Sequence, residues 1–390
     1  MNSQSKKITI NILFFTIILI LIFYRGPCFL LEGTFQQDEY AFLKNSVDNG
    51  FFKGMIYVYP GAGYFNFWTN LSTSFASFLP ETISKIVLTY FALSAKLLIF
   101  LYIYFNDSIL FTKFWHKIFA ILIILFSPPM TPEVWMTTIH SNEYFGIFAF
   151  ILLFSNFQKF NLFKKNLTIG LVFISGISSI YAAILTPAFL VKYLIDKSKS
   201  SLSKLISIFS AFILQFYIVI SNYIFNIGHD QRFEIDFFKF ISYVYNVLVR
   251  SFFGSTIPKN LFIESNFYLS KYFNILLILL FLLLVFFLTF YILKKRDKVL
   301  YLIIFCLLIV SSFVMIGSLY SDFVGGRYAV VPGIIVIFLV FRIFTIENIF
   351  PIKILASVML ISSLIVGLVE FKYKSPLPQV LNCSYFSLDK

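Results

Sequence analysis

Long apolar stretches are the feature that most limits how this chain can fold. A membrane core about 30 Å thick requires roughly 20 apolar residues in each crossing helix. We predict about 11 such segments, within a range of about 9 to 13, in an all-α polytopic membrane bundle. Residues 1–390 are treated as a single membrane domain. The predicted segments are 8–24, 83–105, 118–130, 144–157, 167–180, 182–195, 205–225, 273–293, 299–317, 329–344 and 353–370.

Composition supports a membrane protein. Of the 390 residues, 59% are hydrophobic and only 13% are charged, whereas a soluble domain is about one-half apolar and one-quarter charged. Too little polar surface remains to cover a soluble globule of this size. This excludes an ordinary cytosolic enzyme and a disordered chain.

The distribution of charge predicts how the bundle is oriented. With the N-terminus in the cytoplasm and the C-terminus outside, most lysines and arginines fall in cytoplasmic loops, as the positive-inside tendency requires. The acids on that side are Asp107, Asp196, Asp297 and Glu347. Topology therefore explains the net charge of +13, and no nucleic-acid partner is needed to account for it.

Residues 167–195 are predicted to form two short segments rather than one long helix. The run of small residues at 175–179 and the Thr-Pro pair at 186–187 interrupt the helical pattern. A single crossing would also place Lys197, Lys199 and Lys204 outside, against the positive-inside tendency.

Two segments predicted to lie outside, 25–82 and 226–272, are too long to be turns. Both carry apolar residues at helical spacing, among them Tyr40, Leu43 and Val47 in the first. We expect external amphipathic helices that lie along the membrane interface, or that simply cap the bundle. The sequence leaves both arrangements open.

Asp38 and Glu39 form a pair of adjacent carboxylates soon after the first apolar segment. Adjacent residues on a helix diverge by about 100°, so we expect one to face a cleft while the other is supporting or solvated. A carboxylate at a membrane-edge cleft can act as a general base. It can instead bind a divalent cation, and a solvated helix start explains the pair as well.

The carboxylates belong to a longer pattern, which continues through Tyr40-Ala41, Asn49-Gly50, Tyr59-Pro60-Gly61, Gly63-Tyr64-Phe65 and Trp68. This pattern resembles the first external loop of bacterial membrane glycosyltransferases of the C type. The group concerned includes protein O-mannosyltransferases and the enzymes that add aminoarabinose to lipid A. Downstream, 170–187 resembles the family's paired short helices, and Gly326-Arg327-Tyr328 resembles an Arg-Tyr element before a late helix. One departure is Gly-Ala-Gly-Tyr at 61–64, where many members carry Lys-Pro-Pro.

The resemblance implies an enzyme of the bacterial inner membrane that works at its external face. The donor would be a sugar on a polyprenyl phosphate, the acceptor a glycan, lipid or protein, and the anomeric carbon would be inverted in one displacement. Asp38 would be the general base, with Glu39 as the second choice. Arg327 would bind the donor phosphate, because a departing phosphate needs a cation as its charge develops. An arginine at the headgroup boundary is the alternative.

Other polar and aromatic residues are candidates for binding substrate. Lys96 lies in the middle of an apolar segment, where a charge costs about 2.5–3.5 kcal/mol and tends to face a polar cavity. It is the second candidate for the donor phosphate, unless its long side chain reaches the membrane surface. The candidates for sugar contact are Tyr59, Tyr64, Trp68, Glu133, Trp135, His140, Asn142 and Tyr328. No metal-binding motif is recognised, so a divalent cation at the carboxylates is the only cofactor considered.

Two other functions stay open. A transporter or lipid-linked sugar flippase often contains inverted repeats and charges at mid-membrane, and no internal repeat is evident. An O-antigen polymerase or ligase tends to place its key arginines and histidine in a large late loop. The long loops of this chain come earlier.

Overall fold

All regular structure in the described part of the chain is helical. The structure is a computed structural model that describes residues 3–25, 30, 37–60, 63–128, 134–135, 137–157, 160–224, 243, 245–254, 291, 295–317 and 326–370. Within these ranges there is no β-strand, and one isolated β-bridge joins Ser108 to Ser155. The prediction of an all-α fold is confirmed for this part of the chain.

The helices are named in chain order. They are α1 (Ser3–Arg25), α2 (Gln37–Asn49), α3 (Phe51–Met55), α4 (Phe67–Ala76), α5 (Glu81–Phe105), α6 (Phe114–Phe126), α7 (Ser141–Leu153), α8 (Leu162–Ser178), α9 (Ile180–Ile184), α10 (Thr186–Asp196), α11 (Lys199–Ile224), α12 (Arg250–Phe253), α13 (Lys298–Gly317), α14 (Val330–Ile346) and α15 (Phe350–Val369). A π-helical turn (Tyr245–Val249) precedes α12, and a 3-10 turn (Gly326–Ala329) precedes α14.

Among the described residues, five helices are long and apolar enough to cross a bilayer: α5, α11, α13, α14 and α15. The bent combination of α8 with α9 and α10 meets the same criteria as one broken segment. Helices α6 and α7 have 13 residues each and therefore extend only about 20 Å at 1.5 Å per residue. Several apolar helices of spanning length indicate a membrane protein. The predicted segment 273–293 and most of the predicted loop 226–272 lie outside the described residues.

Burial separates central helices from peripheral ones. Every residue of α7 is buried, and so are most residues of α14. In contrast, α11 exposes Phe209, Phe216 and Tyr217, and α15 exposes Val358 and Ile361. Such apolar faces are unfavourable in water and are matched by lipid. The core of the bundle is therefore built around α7 and α14.

The chain turns back sharply at Ser179. Helix α8 and the segment that begins with α9 meet at a bend of 114°, and a bend beyond 90° directs the chain back toward the end where α8 began. The hydroxyl of Ser179 accepts a hydrogen bond from the backbone N–H of Ala182 at 3.2 Å, which caps α9. The predicted break within 167–195 agrees with this bend.

Lysines and arginines collect at one end of the bundle, which we call the basic end. It contains the loop 106–113, the end of α7, the start of α11 and the turn between α14 and α15. Lys204 donates hydrogen bonds to the carbonyls of Leu152 and Leu153 at 3.2 and 3.3 Å, so it caps the end of α7. The acids at this end are paired in Lys117–Asp107, Lys192–Asp196, Arg342–Asp297 and Lys295–Glu347, at 3.1, 2.9, 2.7 and 3.1 Å.

Glu347 holds the turn between α14 and α15. Its buried carboxylate accepts hydrogen bonds from Tyr291 and from the backbone N–H groups of Asn348 and Ile349. Burial by itself would raise the pKa of Glu347, but these hydrogen bonds and the one from Lys295 outweigh it and lower the pKa to about 2. The carboxylate therefore stays ionised at neutral pH.

Helices α3 and α4 expose apolar side chains. On α4, Thr73 is buried whereas Phe75 is exposed, and on α3, Phe52 is 81% exposed. Helix α2 is mixed, because it buries Phe42 and exposes Val47 together with charged side chains. The exposed apolar side chains suit helices that lie at a membrane interface.

Candidate functional site

Most of the predicted site residues lie at the end of the bundle opposite the basic end. The described residues of the loop before α7, 134–135 and 137–140, are the centre of this region. Asn66 donates a hydrogen bond to the carbonyl of Ile139 at 3.1 Å, and Thr69 donates one to the carbonyl of Thr138 at 2.8 Å. Since Asn66 and Thr69 begin α4, these bonds fasten the first long loop to the loop before α7.

Asp38 and Glu39 diverge, and Glu39 is the one that points inward. Glu39 is 0% exposed. Its Oε1 accepts hydrogen bonds from the backbone N–H of Thr138 and, at 2.7 Å, from the Thr138 hydroxyl. These bonds fix α2 against a loop that lies 99 residues later in the chain. Glu39 therefore has a supporting role. Helical spacing left open which carboxylate would have it, and the resemblance put Asp38 first as the base.

Asp38 lies on the more accessible side of α2. Its Oδ1 accepts a hydrogen bond from the hydroxyl of Tyr59 at 3.1 Å, and the Tyr59 ring packs against Phe42 with 5.4 Å between ring centres. Burial, the charge of Asp38 and this hydrogen bond raise the pKa of Tyr59. The phenol therefore remains a donor at neutral pH, and it orients a carboxylate that is still partly exposed.

Lys96 is enclosed beneath the same loop. Its side chain is 1% exposed, and its Nζ donates a hydrogen bond to the carbonyl of Trp135. The ammonium lies 5.0 Å from the centre of the Trp135 ring and 4.4 Å from that of Tyr144. Two aromatic faces and a carbonyl offset part of the cost of burying the charge. The side chain points into the bundle and does not reach its surface.

The start of α7 places three polar side chains next to one another. Nδ1 of His140 lies 3.3 Å from Oε1 of Glu143, and both residues are buried. Between them in sequence, Asn142 accepts a hydrogen bond from the backbone N–H of Ile180 at 3.0 Å, while Ser179 donates to the Asn142 carbonyl at 2.6 Å. Asn142 therefore supports the broken backbone between α8 and α9, a structural task that we did not predict for it.

Tyr181 is a buried tyrosine on α9 that is close enough to several candidates for their charges to act on it. Its phenol interacts electrostatically with Glu143, Tyr328, Tyr64 and Arg327. The guanidinium carbon of Arg327 lies 5.2 Å from the centre of the Tyr328 ring. The turn before α14 and the start of α7 therefore lie in the same region of the bundle as Tyr181.

The two further candidates are Trp68 and Glu133. Trp68 donates a hydrogen bond from its ring nitrogen to the carbonyl of Phe91 at 3.0 Å, and its ring lies 5.2 Å from that of Phe145. It holds α4 against α5 and α7. Glu133 lies outside the described residues.

Thr138, Tyr181 and Gln215 are important residues that the sequence analysis missed. Gln215 is 0% exposed, accepts a hydrogen bond from the backbone N–H of Phe65 at 3.0 Å and donates one to the Phe65 carbonyl at 2.8 Å. A glutamine inside the apolar segment 205–225 was a usable signal, because an amide at membrane depth needs a partner. The threonine and the tyrosine gave no comparable signal in a chain with 23 tyrosines.

A metal site is not assembled by the part of the chain that the structure describes. No group of three or more His, Cys, Asp or Glu side chains is close enough there to hold a metal ion. The divalent cation considered from the sequence therefore stays a prediction.

No family model, curated protein or solved structure matches this chain. The site is therefore interpreted from its own residues.

Proposed function

We propose that this chain is a glycosyltransferase of the bacterial inner membrane with a C-type fold and about 11 crossings. It would transfer a sugar from a polyprenyl phosphate to a glycan, lipid or protein acceptor. The main support is that two elements bring charged groups toward the region at the start of α7. Helix α2 brings the accessible carboxylate of Asp38, and the turn before α14 brings the guanidinium of Arg327.

In this proposal the basic end faces the cytoplasm and the site faces outside, with the N-terminus in the cytoplasm and the C-terminus external. The positive-inside tendency supports this orientation, because Lys113, Lys192, Lys204 and Lys353 lie at the basic end. Exposed aromatic side chains on α3 and α4 support an interface position for the first long loop.

The proposed reaction is a single displacement at the anomeric carbon. An acceptor hydroxyl oxygen attacks that carbon and forms the new glycosidic bond. The bond between the carbon and the phosphate oxygen breaks, and its electron pair leaves with the polyprenyl phosphate. Asp38 takes the proton of the hydroxyl, and Arg327 stabilises the charge that develops on the phosphate. Tyr64 and Tyr328 offer aromatic faces to the sugar, while Glu39 and Tyr59 position the base.

The first experiment measures transfer of a radiolabelled sugar from a polyprenyl phosphate in membranes that contain the full chain. Asp38→Asn keeps the shape of the side chain and removes its basicity, so we expect transfer to fall at least about 100-fold. Asp48→Asn is the matched control, because Asp48 is an exposed acid on the same helix. Full transfer by the Asp38 variant would reject the assignment of the base.

A second experiment concerns the donor phosphate. Removing one charged hydrogen-bond donor costs about 1.5–3 kcal/mol, so Arg327→Ala should weaken donor binding roughly 10- to 100-fold. Arg327→Lys should recover part of this loss, and the acceptor dependence should change little. Unchanged donor affinity would reject the role of Arg327. Movement of intact lipid-linked sugar without cleavage would favour the flippase alternative over the enzyme.

A further inference from the structure

A cavity lies at the basic end, opposite the end that holds the candidate site. It has a volume of about 310 Å³, which is at the lower end of the range for small-molecule sites, about 300–1,000 Å³. The polar residues that line it are Thr112, Lys113, His116, Arg342, Thr345 and Lys353. No acidic residue among those that the structure describes lines this cavity. We propose that it binds the phosphate headgroup of an anionic phospholipid.

Arg342 lines the cavity, and its guanidinium is only partly paired within the protein. One terminal nitrogen of its guanidinium binds Asp297 at 2.7 Å, so part of its charge is used within the protein. Its Nε is buried, and among the described residues it has no hydrogen-bond partner. A buried donor without a partner costs about 1–3 kcal/mol, and an anionic oxygen is the acceptor that a guanidinium binds most strongly.

The surroundings of the cavity favour a lipid over a soluble anion. Beside it, Phe114 and Trp115 at the start of α6 are 47% and 75% exposed, and Phe350 and Ile354 at the start of α15 are 74% and 45% exposed. Exposed aromatic residues of this kind mark the interface of a membrane. A phosphate in this cavity would therefore have acyl chains beside it that cover the neighbouring apolar side chains.

The positive charge of the cavity lining also favours the headgroup of an anionic lipid. Lys113 and Lys353 are exposed side chains at the rim, and Arg342 is mostly buried. Basic pockets between membrane helices on the cytoplasmic side bind anionic headgroups. The proposal does not depend on the glycosyltransferase reaction, because the two sites lie at opposite ends of the bundle.

The test uses the full chain in lipid nanodiscs and the fluorescence of Trp115. Brominated phosphatidylglycerol and brominated phosphatidylcholine are titrated separately, because bromine quenches a tryptophan that the lipid contacts. We expect stronger quenching by phosphatidylglycerol, and we expect Trp115→Phe to remove the difference. Lys113→Gln with Lys353→Gln should reduce the preference about 30-fold, since each lysine near a membrane surface contributes about 1 kcal/mol.

Lys164→Gln with Lys165→Gln is the matched control, because these lysines begin α8 away from the cavity. The control pair should keep the preference. Equal quenching by the two lipids in the unaltered chain would overturn the proposal, and so would an equal loss in both double variants. Loss of the preference when inorganic phosphate is added would assign the cavity to a free anion and would also reject the lipid. Circular dichroism should show that both double variants remain folded, because none of the four lysines is buried.

Discussion

The contact between Glu39 and Thr138 is the strongest test of how the site is held together. Replacing Glu39 by Ala removes the acceptor of two hydrogen bonds, from the Thr138 N–H and from the Thr138 hydroxyl. Both donors belong to a residue that is 0% exposed, so water cannot replace the lost acceptor without opening the loop. Each stranded buried donor costs about 1–3 kcal/mol, and together they suggest a loss of about 4 kcal/mol.

Two further variants divide this loss into parts. Glu39→Gln keeps an acceptor oxygen but loses its charge, and because charge-assisted bonds are roughly twice as strong as neutral ones, we expect a cost of about 1–2 kcal/mol. Thr138→Val removes only the hydroxyl and should cost about 1–2 kcal/mol. In the double variant Glu39→Ala with Thr138→Val, the stranded hydroxyl is absent. Its total cost should therefore be at least about 1 kcal/mol below the sum of the two single costs.

The assay is thermal unfolding of the purified chain in one detergent at one scan rate. For a protein of this size, 1 kcal/mol corresponds to roughly 2 °C, so Glu39→Ala should lower the Tm by about 8 °C and Glu39→Gln by about 2–4 °C. Equal shifts for the two variants would refute the reasoning, because they would show that the acceptor oxygen does not matter. Strict additivity in the double variant would show that Glu39 and Thr138 do not interact.

Three other predictions use separate features of the bundle. Gly176→Ala should lower the Tm, because the new Cβ would lie 2.4 Å from Cβ of Ala211. Gly170→Ala on the same helix is the control: its new Cβ would have no atom within 4 Å, so the change should be neutral or stabilising. Equal effects of the two changes would contradict the close packing of α8 on α11. The stability that Glu347 provides should be constant above its ordinary pKa of 4.5 and fade as the pH falls toward 2. The difference in Tm between the unaltered chain and Glu347→Gln should therefore shrink only in acid. A difference that shrinks near neutral pH would contradict the lowered pKa of Glu347. A reporter fused after Lys199 should be cytoplasmic, and an external signal would reverse the orientation.

The helices were predictable because the length of an apolar run is a local property. The prediction of 83–105 corresponds to α5, which begins at Glu81, and the prediction of 353–370 corresponds to α15, which begins at Phe350. Both starts are next to a proline, which favours the first turn of a helix. The predicted segment 118–130 is displaced by four residues from α6, because the aromatic and basic start of α6 did not look apolar.

The position of a helix within the bundle could not be predicted, because lipid and protein interior favour the same apolar residues. Helix α7 is wholly buried and α15 has an exposed face, yet α15 is at least as apolar in sequence. Lys204 shows the same limit for a polar group. We predicted it on the cytoplasmic side from its charge, and it lies at the basic end, but buried against the carbonyls of α7.

The site could be predicted in its residue types but not in its pairings. Asp38 and Glu39 were identified as adjacent carboxylates, and Arg327 was identified through the resemblance to C-type glycosyltransferases. Which carboxylate is buried depends on how α2 is rotated against the Thr138 loop, and that contact spans 99 residues. A pattern that is read over a few neighbouring residues contains no information about such a partner.

The bend at Ser179 has a consequence for how the chain enters the membrane. The carbonyls of Gly176 and Ile177 are bound by Gln215 at 3.2 and 3.3 Å, and the N–H of Ile180 is bound by Asn142. Lipid offers no such partners, so on its own the stretch 162–196 would straighten into one continuous helix. That helix would carry the lysines after α10 across the bilayer. Helices α7 and α11 thus hold the bend of the segment between them, and we expect removal of Gln215 or Asn142 to favour the straight form.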